Sequence, residues 1–122
     1  MERGETTAQA VLAVPVLLLF LLFGIQITLY FHTSQLAAIA AQDGAIAGAA
    51  VGGSEIHAIA AVAKSAAELR ASEGKTPVVR MGISEIQVEV LLRVPSIFPL
   101  FPKSVTRSAS EPLERFVLEV DR

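Results

Sequence analysis

The sequence predicts an α+β fold: one long N-terminal helix that crosses a membrane, then a short helix and a small antiparallel β-sheet. Three observations carry this. No Asp, Glu, Lys or Arg occurs from Thr6 through Gln42. An amphipathic, helix-compatible stretch follows Ser54, and strict alternation of apolar and polar residues begins at Ile86. At 122 residues the chain is one domain at most. Its 52% hydrophobic and 18% charged content is a property of the first segment, because from Ser54 onward basic and acidic residues are equal in number. That balance leaves no basic excess to attract nucleic acid. The lack of cysteine removes disulfide frameworks, zinc–thiolate sites and thiol catalysis, and two histidines, His32 and His57, are too few for a His-dominated metal site.

Ala10 to Phe31 is apolar except for Gln26, Thr28 and the hydroxyl of Tyr30. A bilayer core of about 30 Å needs roughly 20 helical residues, so the run is long enough to span it. A buried core helix is the weaker reading, because the rest of the chain is too small to cover a helix that is apolar all round. A cleaved secretory signal has support from Ala38-Ile39-Ala40, a small-x-small pattern. Against it stand the acidic leader with Glu2 and Glu5, the length of the apolar run and the helix-forming continuation Leu36 to Ala41. Arg3 is the only basic side chain before Lys64, which favours a cytoplasmic N-terminus and an external bulk.

Helix-compatible sequence continues from Thr33 to Val51 without proline. A helix from Thr6 to Val51 is roughly 70 Å long, so about half of it projects from the bilayer. Pro15 is expected to kink it. Gly44, Gly48 and Gly52, preceded by Ala37, Ala40 and Ala41, leave one face nearly free of side chains, suited to close helix packing. Gly52-Gly53 also reads as a stop signal. Ser54 then caps a second helix from Glu55 to about Ala71, with Glu55 in its first turn, Arg70 in its last, and an apolar stripe of Ile56, Ile59, Ala60, Ala63, Ala66, Ala67 and Leu69. Gly74 is expected to close it. His57 on this helix has no companion placed for metal binding.

Ile86, Val88, Val90, Leu92 and Val94 share one face of the clearest strand. Thr76–Met81, Val105–Ser110 and Phe116–Val120 are its candidate partners in a sheet covered by the second helix. Between strands, the loop from Pro95 to Pro102 carries Ile97, Phe98, Leu100 and Phe101, which either fold back over the sheet or contact a partner subunit or the membrane interface. No nucleophile–base pair is recognisable, Glu85, Glu89, Glu111, Glu114 and Glu119 alternate with basic residues as on a solvated surface, and Gly52-Gly53-Ser54 lacks phosphate-loop spacing. The expectation is a protein without catalysis and without cofactor or metal.

Arg3-Gly4, the polar stretch Glu5-Thr6-Thr7-Ala8-Gln9 and an apolar helix with an early proline resemble the class III signal of type IV pilin-like proteins. With the Ala-rich continuation Ala40 to Gly48 and the Pro-rich loop before Val105–Ser110, the whole chain resembles the TadE family of minor pilins, or pseudopilins, of the tight-adherence (Tad, Flp-type) pilus system. The resemblance implies a leader at 1–4, a transmembrane and assembly helix at 5–53 of type IV pilin kind, and an extracytoplasmic head at 54–122. It implies cleavage by a prepilin peptidase between Gly4 and Glu5. It places Gln9 where the family carries an acidic residue, so that a neutral hydrogen bond stands in for a charge pair. The implied partners are other Tad minor pilins, the major Flp pilin, the prepilin peptidase, the inner-membrane assembly platform and the lipid bilayer. The implied role is to prime, cap or support filament assembly, the helix packing laterally on its neighbours through its small face. The alternative is a small secreted or membrane-anchored binding module released near Ala40.

Overall fold

The computed structural model describes residues 2–98 and 100–114. Helix α1 runs without interruption over Glu2–Ala49, through Pro15, and is followed by α2 (Glu55–Glu68), β1 (Ser72–Glu73), β2 (Val78–Met81), β3 (Glu85–Arg93) and β4 (Ser104–Pro112). The expected α+β architecture is present. The chain break between the helices is made by Gly52, whose φ of +81° is a left-handed turn that favours glycine. Among the described residues no atom lies within 4 Å of where its side chain would be, so Gly52 acts as a turn residue there and not, as its spacing suggested, as part of a packing face.

Ser54 caps α2 in extended conformation, its Oγ accepting from the His57 amide. The helix ends three residues earlier than expected. Arg70, not Gly74, takes the left-handed position (φ 56°), and the Arg70 and Ala71 amides donate back to the Ala67 and Ala66 carbonyls at 3.2 and 2.8 Å. This double return satisfies carbonyls that the helix end leaves open, which offsets the strain of a non-glycine residue there.

Strand β3 is the centre of the sheet. β4 pairs antiparallel along its full length, from Glu85↔Pro112 to Arg93↔Ser104, while β2 and the unanticipated two-residue β1 share its other edge. The candidate strand Phe116–Val120 lies outside the described residues. Alternation along β3 is strict: Ile86, Val88, Val90 and Leu92 are all buried.

What covers that face differs from expectation. α1 itself lies along β3 and β4, and α2 packs mainly on α1. A Cβ built at Gly44 would stand 2.5 Å from Val62 Cγ2 and 3.2 Å from Val88 Cγ1, and one at Gly48 would meet Ile86 Cδ1 at 2.4 Å and Ala58 Cβ at 3.0 Å. The small face of α1, with buried Ala37, Ala40, Ala41 and Ala45, is therefore occupied by the chain's own head and not left open to a neighbouring subunit. This geometry also corrects the stripe assigned to α2. Only a narrow ridge enters so close a groove, so Ala58, Val62, Ser65 and Ala66 are buried while Ile56 is 77% exposed.

Filling this contact is expected to be costly. Gly44→Leu and Gly48→Leu should each destabilise the head by about 1–3 kcal/mol through overpacking, whereas Gly24→Ala, with nothing within 4 Å of its Cβ position, should be neutral or stabilising. Thermal unfolding of the detergent-solubilised chain by circular dichroism checks this; equal midpoints for all three variants would contradict the packing.

Candidate functional site

Two parts of α1 are set apart by what touches them. From Gly4 to Leu21 every side chain is exposed, among them Glu5, Gln9 and Pro15. From Gln26 onward one face is buried beneath the head. The transition is made by Gln26, the one amide within the apolar run and fully buried. Its Nε2 donates to the Pro95 carbonyl at 3.0 Å, and its Oε1 accepts from the amides of Ile97 at 2.7 Å and Phe98 at 3.3 Å. Both ends of the side-chain amide are thus used on backbone groups of the Pro-rich loop.

Aromatic rings complete the clamp. The Phe23 ring meets Phe98 and Phe101 edge-on, with centroids 5.9 and 5.8 Å apart, and Tyr30 meets Phe101 at 5.7 Å. Contacts of this geometry contribute about 0.5–1.5 kcal/mol each beyond burial. Phe98 and Phe101 therefore fold onto α1, the first of the arrangements considered for them but with the helix, not the sheet, as their seat. Ile97 and Leu100 point outward, 47% and 86% exposed.

Two further polar links fasten the head farther along α1: Arg107 Nη1 donates to Ser34 Oγ at 2.9 Å, and Ser65 Oγ donates to Asp43 Oδ2 at 2.7 Å. The expected site residues thus fall into three places. Gly4, Glu5 and Gln9 lie on the free end of α1; Ile97, Phe98, Leu100 and Phe101 lie at its middle; Gly44 and Gly48 lie under the head. Gln26 was readable in the sequence only as a polar interruption of an apolar run, which by itself marks a residue with a partner. Among the described residues, no group of three or more His, Cys, Asp or Glu is placed to hold a metal ion.

α1 is long and apolar enough to cross a membrane, and its most hydrophobic stretch is almost wholly uncovered, as fits a membrane anchor. Residues 4–45 match the family model TadE, described as TadE-like protein, the family that the sequence resembles. The match runs from Gly4 through the most apolar stretch of α1 to Ala45, short of the second helix and the sheet. No curated protein and no solved structure matches the chain.

The clamp makes a local prediction. Gln26→Leu keeps the volume but leaves the Pro95 carbonyl and two amides without partners, a loss of about 1–3 kcal/mol per group. Hydrogen exchange at Ile97 and Phe98 should accelerate at least about tenfold, the equivalent of about 1.4 kcal/mol. Unchanged exchange at both amides would show that Gln26 does not hold the loop.

Proposed function

We propose that the chain is a minor pilin, or pseudopilin, that primes, caps or supports assembly of a Tad/Flp-type pilus and carries no catalytic activity. In this reading α1 holds it in the plasma (inner) membrane, with the N-terminus in the cytoplasm and the head outside. The observation that carries the reading is the division of α1 into a bare half and a head-bearing half, together with the family match that starts at the Gly4 junction.

A prepilin peptidase acting after Gly4 leaves Glu5 as the new terminus, and the cut disturbs nothing in the head, because a side chain at Gly4 would meet no atom within 4 Å. The bare half is then the assembly element. Its Val11, Leu12, Leu17 and Phe20 are each well over half exposed on different sides of the helix, so lipid in the stored state can be exchanged for the helices of other Tad minor pilins or the major Flp pilin. Lateral packing through Gly44 and Gly48 is replaced by packing through this half. Gln9 offers neighbours a neutral hydrogen bond, and Glu5 supplies a carboxylate beside the new amine. The prepilin peptidase and the inner-membrane assembly platform are the partners that this route requires.

A secreted module cut near Ala40 fits less well. Ala37 and Ala40 are both fully buried under the head, and Gln26 holds the loop, so removal of residues 1–40 would take part of the core with it.

Intact mass of the membrane-extracted protein, co-expressed with an active prepilin peptidase, tests the reading. Loss of Met1–Gly4 is expected. An uncut chain, or one lacking Met1–Ala40, contradicts it.

A further inference from the structure

The apolar run of α1 begins at Ala10. At about 1.5 Å per residue, a hydrocarbon core of about 30 Å that starts there ends near Tyr30. The Pro-rich loop does not dock beyond that point. It docks on Phe23, Gln26 and Tyr30, which places it over the last roughly 10 Å of the span. We propose that the loop from Pro95 to Pro102 is immersed in the bilayer leaflet on the head's side, with Ile97 and Leu100 in contact with lipid chains. The proposal rests on the reading of α1 as a membrane span.

Irregular backbone at membrane depth persists only where its polar groups are satisfied within the protein. Here the Pro95 carbonyl and the Ile97 and Phe98 amides are taken by Gln26, and the Phe101 amide donates to the Phe98 carbonyl at 3.3 Å. Proline has no N–H, so each of the loop's three prolines removes a donor that would otherwise need a partner. In water, the same loop would present Leu100 at 86% exposure and Ile97 at 47%.

The lipid-facing surface is also continuous with the anchor. Phe98 and the α1 residues Val16, Leu19, Phe20 and Phe23 line one shallow apolar groove of about 260 Å³, shaped between helix and loop to take hydrocarbon. Above the loop the chemistry changes sign. Arg93, Lys103 and Lys75 line one cleft at the base of the head, and Arg93 also shares a second with Arg70 and His32; Glu73 lies nearby. The loop ends are tied at this level by the Val94 amide donating to the Lys103 carbonyl at 2.8 Å. Cations directly above an apolar tip suit the phosphates of a lipid headgroup layer, their stems lying along the apolar boundary.

The chain has no tryptophan, so a single one reports its own surroundings. Full-length Leu100→Trp, Leu17→Trp and Ile83→Trp would be reconstituted in phosphatidylethanolamine–phosphatidylglycerol vesicles whose acyl chains are brominated or plain. Leu17 lies on the bare helix, and Ile83, 88% exposed, lies beside the start of β3 at the far end of the head. The expected result is loss of fluorescence to brominated chains at positions 100 and 17, and loss to aqueous iodide at position 83. If position 17 is quenched by lipid but position 100 by iodide, the helix spans and the loop proposal is wrong. If neither 17 nor 100 is quenched by lipid, the membrane span itself fails and the proposal with it. Lipid quenching at 83 as well as 100 would mean that the whole head lies against the membrane, which also overturns insertion by the loop alone.

Discussion

Everything in this fold depends on how closely the backbone of α1 approaches its own head at Gly44 and Gly48. A single helix of 48 residues has a bare half and a half that carries the head, and a change in side-chain size along one face divides them. Where the face is bulky, from Val11 to Leu21, the described residues leave it exposed. Where it narrows to Ala and Gly, Val62, Val88 and Ile86 reach almost to the helix backbone. The two lattices also keep step: two residues of strand rise about 6.6 Å and four residues of helix about 6 Å, so Gly44 against Val88 and Gly48 against Ile86 repeat the same contact. A methyl group added at Gly44 would press on Val62, Val88 and the Ala58 carbonyl, and one at Gly48 would require Ile86 and Ala58 to give way.

The second constraint is polar. A side-chain amide inside an apolar run is expensive unless its donor and acceptor are both satisfied, and Gln26 satisfies them on a loop 69 to 72 residues away. That choice fixes where along α1 the head begins. It also seats the Pro-rich loop on the apolar run of α1 and ties the near edge of β3 and β4 to a definite position along the helix. Between Gln26 and the close contact at Gly48, Ser34–Arg107 and Asp43–Ser65 hold the register.

Local signals in the chain were legible, and long-range ones were not. β3 could be read because one-sided burial imposes alternation on Ile86, Val88, Val90 and Leu92. The start of α2 could be read because capping is a local interaction between Ser54 and His57. The small face of α1 was visible as a pattern, but its occupant was not: the same Gly and Ala spacing suits a neighbouring helix or the chain's own head. Misassigning the buried side of α2 followed from that. Ile56 is the more hydrophobic candidate, yet the groove at Gly44 and Gly48 admits only Ala58 and Val62. Arg70 in a left-handed position ran against propensity and is held by hydrogen bonds that only the folded turn supplies. The partner of Gln26 had no sequence signal, because nothing local distinguishes Pro95 and Ile97 from other loop residues.

The central claim is that the small face of α1 is closed by its own head, leaving the N-terminal half for the membrane and for other subunits. Because the chain has no cysteine, a pair placed at Asp43→Cys and Ser65→Cys, the sites of the 2.7 Å link between α1 and α2, has no background to obscure it. Oxidation of the full-length protein in membranes, followed by non-reducing electrophoresis, should give a disulfide within one chain and no linked dimers. Dimers joined through these positions, with no disulfide within one chain, would mean that the head does not sit on α1 and that its small face is open to neighbours after all.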